Sequence, residues 1–341
     1  MVEPYPFRPR RDLRTLFLSA VLLASGTVSG AEWVKPGPGQ SSWGLRGGLL
    51  FAVFPGGFNE GDGGPRGLIR IGYPTLPDGK YDLINFIAIE PVVGTARGYS
   101  ELEKSHIDGR QGKFLWTGDT QPASLESATR DSGVIESLKT GVEELTVTLH
   151  VEKFDNGAHV RILLSHRSDA PDELRLTVHA EPGSAPIKSC ILTATMGNKA
   201  RTRQLWLKDE TLSSAKIFGS YTESGFAPTV SFPLARLPRT SSGDVLVAIT
   251  NDEENPAEPL DANNFWKYRG AKVTQYWRKP SAGLNDSLRC AVNARFTYWM
   301  SKNPLPGGLA FENFELIEDF KDGQSFIFGV TKRSPAEILK Q

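Results

Sequence analysis

Residues Asn85–Trp116, NFIAIEPVVGTARGYSELEKSHIDGRQGKFLW, gather the side chains of this 341-residue chain best suited to moving protons on a sugar. An apolar, strand-like run, Phe86–Ile89, breaks off at Glu90-Pro91. Glu101, Glu103, His106 and Asp108 follow in a loop or short helix, and then Lys113 and Trp116. Glycoside cleavage and epimerisation both need a carboxylate and a proton donor on opposite sides of a sugar carbon or oxygen. Glu90 and Glu101 are therefore the candidate bases, and His106 and His150 the candidate proton donors. Lys113 and Arg66 suit hydroxyls or a carboxylate, with Trp116 as a stacking platform. A strand exit would hold Glu90 rigidly, whereas Glu103-Lys104 also reads as solvated surface.

Three other constellations bear on the same chemistry. His150, His159 and His179 fall at polar positions of neighbouring strands, with Arg161 and Arg175 beside them. They line either a concave groove, where imidazole suits proton transfer near neutral pH, or an ordinary solvated sheet face. Aromatic and amide residues cluster at 263–269, 275–278 and 295–299. Alternating aromatics on strands usually form core, so loop-like Trp266 and Tyr268 are the better ligand platforms. In the glycine-rich segment 43–70, the spacing of Gly61, Gly63, Gly64 and Gly67 does not fit a dinucleotide fingerprint. Arg66 or Arg70 there is available for an anionic group.

Several chemistries have no motif to carry them. The chain lacks G-x-S-x-G, HExxH and a Walker-type phosphate loop. Asp62 has no calcium-loop spacing around it. Neither a cofactor nor a metal site is expected.

The elements that must position these groups read as strands. Residues 144–153, 159–167 and 173–180 alternate apolar and polar side chains and are joined by short polar turns, which gives an antiparallel meander with one wet face. His166 falls in the apolar parity. Strand texture returns at 245–250, 272–278, 289–299, 311–316 and 325–330, with a short helix expected over 334–340. No βα alternation is visible. The expected fold is all-β, a large antiparallel two-sheet sandwich filling residues 32–341 as one domain.

Residues 1–31 read as a signal peptide. Arg8, Arg10, Arg11 and Arg14 precede an apolar stretch, 16–28, that is short for a membrane span, and Ser29-Gly30-Ala31 offers small residues for cleavage. Removing them leaves 35 basic and 37 acidic residues, a balance that argues against nucleic acid as a partner. No later apolar run reaches membrane-spanning length, so no stable insertion is expected after cleavage, and the protein would be secreted or periplasmic. Cys190 and Cys290 make either one disulfide or two buried thiols. The sequence is silent on oligomeric state.

The blocks WGLRGGLL, GPRGLIRIGYP, NFIAIEPVV, GYSELEKSHIDGRQGK, LTATMGNKARTRQLWL, YRGAKVTQYW and PGGLAFENFEL resemble an uncharacterised family of secreted bacterial proteins over nearly the whole mature chain. At fold level the chain resembles galactose-mutarotase-type β-sandwich proteins, a group that includes sugar epimerases, polysaccharide lyases and parts of glycoside hydrolases. That likeness implies a saccharide or polysaccharide partner, with a glutamate base and histidine acids on a concave sheet. No motif carries those roles onto particular positions. The expectation is thus an exported carbohydrate-active protein. The rivals are a non-catalytic glycan-binding protein and a structural envelope protein.

Overall fold

Period-two alternation governs the chain, and among the described residues turns cut it into twenty strands. The computed structural model describes residues 31–37, 42–54, 66–75, 79–123, 133–138, 141–195, 201–251, 272–299 and 301–340. Trp266, Tyr268, Asp62 and the expected leader lie outside them. Everything described belongs to the unit Ala31–Gln341.

In chain order, β1 (Trp33–Val34), β2 (Trp43–Leu45), β3 (Leu50–Ala52), β4 (Leu68–Tyr73), β5 (Asp82–Val93) and β6 (Ala96–Arg97) begin the first sheet. The second sheet starts with β7 (Leu115–Trp116), β8 (Val134–Ser137), β9 (Glu143–Val151), β10 (Val160–Arg167) and β11 (Glu173–Ala180). The chain then alternates between the two. β12 (Ser189–Thr195), β15 (Val230–Pro233), β18 (Arg289–Arg295) and β19 (Ala310–Ile317) join the first sheet. β13 (Gln204–Trp206), β14 (Thr211–Ser213), β16 (Val245–Thr250), β17 (Thr274–Lys279) and β20 (Gln324–Thr331) join the second. The first sheet runs β1-β2-β3-β4-β5-β12-β19-β18-β15 with β6 on β5; the second runs β14-β13-β16-β17-β20-β11-β10-β9-β7 with β8 on β9. The all-β, antiparallel two-sheet sandwich expected from the sequence is the fold of the chain. Two short helices, α1 (Ser214–Phe218) and α2 (Pro335–Ile338), complete it, and no helix of the described residues is long and apolar enough to cross a membrane.

One hydrophobic cluster fills the space between the sheets. Ile87 and Ile89 of β5, Leu192 of β12 and Phe314 of β19 meet Leu149 of β9, Ile162 of β10 and Leu176 of β11 there. Trp277 on β17 crosses the gap and donates its indole N–H to the Phe314 carbonyl at 2.9 Å. His166 is buried in this layer, as its apolar parity predicts. Its Nε2 lies 3.1 Å from the Pro171 carbonyl, and burial pushes its pKa down to about 4.

Alternation then places the remaining side chains on two outer faces. Phe86, Ala88 and Glu90 stand on the outer face of the first sheet, opposite in parity to Ile87 and Ile89. His150, Arg161 and His179 stand on the outer face of the second, paired across β9, β10 and β11. The core lies between these faces. The expected groove shared by the Asn85–Trp116 block and the histidine face of the meander is therefore corrected: the block's first acid, Glu90, and the histidine face are on opposite sides of the sandwich, and only the end of the block, Trp116, reaches the second sheet beside His150.

One further expectation is revised, and one open alternative is decided. Strand β5 does not stop at Glu90-Pro91 but continues to Val93. The Pro91 carbonyl accepts from Gly98 N at 2.8 Å, so its side lacking an N–H faces β6, beyond the point where β4 ends opposite Ala88. A proline there forgoes at most one bond, at the end of the short β5–β6 pairing, an edge position where proline is tolerated. For the cysteines, β19 lies between β12, which carries Cys190, and β18, which carries Cys290. Two inter-strand spacings separate them by roughly 9.5 Å, beyond the roughly 7 Å a disulfide spans. Both are free and buried, and burial raises both thiol pKa values. A reductant is thus expected to leave the urea midpoint unchanged, whereas losing a bridge closing so long a loop would cost about 4–5 kcal/mol. A midpoint shift on reduction would contradict this pairing.

Candidate functional site

The outer face of the first sheet carries a pocket of about 300 Å³. Its floor is Phe86 and Glu90 of β5, Thr195 of β12, Asn293 of β18, and Glu312, Asn313 and Glu315 of β19. Arg97, Tyr99 and Glu101 form one wall, and Leu102, Phe226 and Trp299 stand at the rim. Three large apolar side chains are exposed among the described residues, Leu102, Val134 and Phe226, and two of these three are at this rim. Exposed apolar groups around a concave, polar-floored site mark a place where something docks.

Local sequence explains how the wall is built. Gly94 takes a positive φ of 59° and turns the chain between β5 and β6, so that Arg97 lies opposite Val92 in register. Ser100 is then buried and held on three sides. Its hydroxyl accepts from Ile89 N at 2.9 Å and donates to the Gly67 carbonyl at 2.6 Å, while its carbonyl accepts from Lys113 N at 2.7 Å. Tyr99 and Glu101 flank this anchor. Gly67 has a φ of 79°, and a Cβ there would sit 1.9 Å from the Ser100 carbonyl oxygen. Gly67→Ala is therefore expected to destabilise the protein by about 2–4 kcal/mol through backbone strain and overpacking. It should also weaken any ligand bound beside Glu101. Urea denaturation and ligand titration of the variant check both effects.

The electrostatics are dominated by buried carboxylates. Arg97 pairs with Glu90 and, at 3.0 Å, with Glu315. It also donates to the Thr193 hydroxyl at 3.2 Å, and its guanidinium lies 5.7 Å from the Tyr99 ring centre. Burial pushes the Glu90 carboxyl well above the usual carboxylate range; the neighbouring Glu101 adds to the rise and Arg97 opposes it. Glu101 is pushed up to about 7, chiefly by burial. Its Oε2 is out of contact with solvent and has no hydrogen-bond partner. A carboxyl that keeps its proton near neutral pH therefore stands near a second carboxyl bound to a guanidinium. Burial raises both carboxyls, and the ion pair with Arg97 is what opposes that rise at Glu90.

Of the residues singled out in the sequence, the pocket brings together Glu90 and Glu101. His106 is exposed and pairs with Asp155 at 2.9 Å instead. His150 stacks on Trp116 with ring centres 5.6 Å apart, on the second sheet. Trp116 is itself buried and unavailable as a platform. Arg66 is clamped by both oxygens of Asp108, at 2.6 and 3.0 Å. Lys113 is buried, and its ammonium holds Asp155 at 2.8 Å, Glu103 at 3.2 Å and the Lys104 carbonyl at 3.0 Å. Glu103 accepts from the backbone N–H groups of Tyr99 and Asp155. The second half of the block is thus a self-tied loop docked on the β9–β10 turn, and the charges of Glu103, Asp108 and Lys113 are engaged in holding it there. All five histidines lie outside the pocket lining.

Sequence reasoning missed Arg97, Tyr99, Phe226, Glu312 and Glu315. The strand Phe311–Leu316, FENFEL, carried a signal in its two glutamates set among apolar residues, since both prove buried. Trp299 belonged to an aromatic group read as core; its neighbour Tyr298 is core-like, whereas Trp299 is half-buried at the rim.

No family model matches the chain, and no curated protein matches it. Among solved structures, the galactosidase domain of alpha-galactosidase-sucrose kinase, AgaSK, is similar with a TM-score of 0.33 and 9% identity, over 88% of this chain and 42% of that one. The chain spans under half the length of that structure.

Proposed function

We propose that this is an exported carbohydrate-active protein that cleaves a glycosidic bond in the first-sheet pocket by general acid–base catalysis between glutamates. Glu101 is the acid, protonating the leaving oxygen. Glu90, bound to Arg97, is the carboxylate partner. Trp299 and Phe226 offer flat faces to sugar C–H groups at the rim, and Asn293 and Asn313 are placed to meet hydroxyls. The observation that carries the reading is the buried, unpartnered Oε2 of Glu101 inside a pocket with an aromatic rim. Two carboxyl groups without an imidazole suit glycoside hydrolysis better than the glutamate–histidine pair associated with epimerases. Export rests on the leader-like residues 1–31, and the mass of the protein recovered from outside the cytoplasm is expected to begin at Glu32.

A non-catalytic glycan receptor is the second reading, favoured by the ion pairs that already engage both Glu90 and Glu315. Purified protein incubated with a panel of oligosaccharides separates the two. Turnover abolished by Glu90→Gln and Trp299→Ala but untouched by His150→Ala supports the hydrolase. Binding without turnover, lost in Trp299→Ala alone, supports the receptor. Activity that survives both pocket substitutions removes the pocket from either account.

A further inference from the structure

We propose that the pocket takes the non-reducing end of a saccharide chain and releases one sugar at a time, rather than cutting within the chain. The inference rests on the hydrolase reading of the pocket and adds which bond is reached. A sheet face open along its strands would let a chain lie across it, and this face is closed. Toward the start of β5, Leu68, Leu83, Phe86 and Ala88 form an apolar cluster hidden from solvent. Buried Arg70 stands opposite Phe86 in register, its guanidinium 5.8 Å from that ring centre. Toward the end of β5, Val92 packs on a second hidden cluster, Ile191, Ala291 and Ile317. Across the strands, the Arg97–Glu101 wall faces Phe226, Thr229 and Trp299. Among the described residues the cavity is thus bounded on four sides and by its floor. Its volume of about 300 Å³ equals roughly ten waters at about 30 Å³ each, the bulk of one hexose rather than two. The acid is placed to match. Glu101 directly precedes the exposed rim residue Leu102, whereas Glu90 belongs to the floor. The bond beside Glu101 is then the one joining the enclosed sugar to the rest of the chain, which extends out past Trp299. Glu101 gives its proton to the glycosidic oxygen as the bond from that oxygen to C1 breaks. Water supplies the hydroxyl to C1 of the enclosed sugar, and its other proton replaces the one the glutamate pair gave up.

The test incubates the mature protein at pH 6, where Glu101 keeps its proton, with hexasaccharides of glucose, mannose, galactose and N-acetylglucosamine in α and β linkage. Each carries a 2-aminobenzamide label at its reducing end, and the products are separated by length over time. Whichever hexamer is cleaved is expected to give free monosaccharide and labelled pentamer first, and labelled tetramer only later. A 4,6-O-benzylidene cap on its terminal sugar should abolish cleavage. Trp299→Ala should raise KM for the hexamer about tenfold, since an apolar face is left uncovered. It should leave inhibition by the released monosaccharide unchanged, because that sugar sits inside the rim. Labelled trimer, tetramer and pentamer appearing together from the first time point, or cleavage of the capped hexamer, would overturn the inference and leave the hydrolase reading standing. Monosaccharide inhibition weakened as much as the hexamer's KM would put Trp299 against the enclosed sugar and overturn the placement of the leaving chain at the mouth. Failure to cleave any hexamer would sink both.

Discussion

Glu101→Gln should lower turnover by about 10²- to 10⁴-fold, the usual worth of a positioned general acid, while making the protein more stable above neutral pH. Both effects come from one cause. The Glu101 pKa is pushed from 4.5 to about 7 by burial, so the folded state holds a proton that the unfolded chain releases. Stability from this group is complete below about pH 4.5 and is lost as pH climbs through about 7. Each pKa unit is worth 1.36 kcal/mol, which puts the deficit above pH 7 on the order of 3 kcal/mol. Glutamine has the same shape and no charge, so it removes that deficit. The wild-type rate should also fall as pH rises past about 7, because the acid form disappears. Thermal melts of both proteins between pH 4 and pH 9, with initial rates over the same range, are the measurement. A variant that loses activity and is also less stable at pH 8 would mean that Glu101 is structural.

Arg97→Ala carries the largest expected loss of stability, about 3–5 kcal/mol near neutral pH. The side chains of Glu90 and Glu315 are 4% and 3% exposed, and Arg97 is the cation that pairs with both. Without it, two buried carboxylates face each other and Glu101 with no nearby counter-charge. The Glu90 pKa must rise further, so the damage is greatest at high pH and shrinks as acid protonates the stranded carboxylates. Urea titrations at pH 8 and pH 5 should show that narrowing. Adding Glu90→Gln to the variant should recover part of the loss, since it removes one of the stranded charges. An equal loss at both pH values would show that packing of the Arg97 stem on Tyr99, rather than charge, holds the wall together.

The two largest effects fall on residues that the sequence treated unequally. Glu90 was legible because an acid directly after an apolar run stands out, and Glu101 because it opens the acid-rich stretch that follows. Arg97 was not, since nothing in ARGYS marks an arginine that turns back through a hairpin onto its own strand. Glu315 was hidden for a related reason. It reaches Arg97 only because β12 and β19 come together from positions more than a hundred residues apart. The histidines misled because parity assigns a side chain to a face of its own sheet. It does not say on which side of the molecule that sheet packs. His150 and Glu90 both have outward parity, and the core of the sandwich separates them.

Local patterning was therefore sufficient for the all-β class, for most of the strands in the second half of the chain, for the burial of His166 and for singling out Glu90 and Glu101, which the structure brings to one pocket. These follow from side-chain alternation, which each segment carries in its own residues. Which acids share a pocket, that Lys113 and Arg66 are tied into a loop, that the cysteines stand one strand too far apart, and that no imidazole lines the pocket, were decided by the order of strands in the sheets. Strand order is set by contacts distant along the chain, and the energy of those contacts lies in burial that no single segment can express alone.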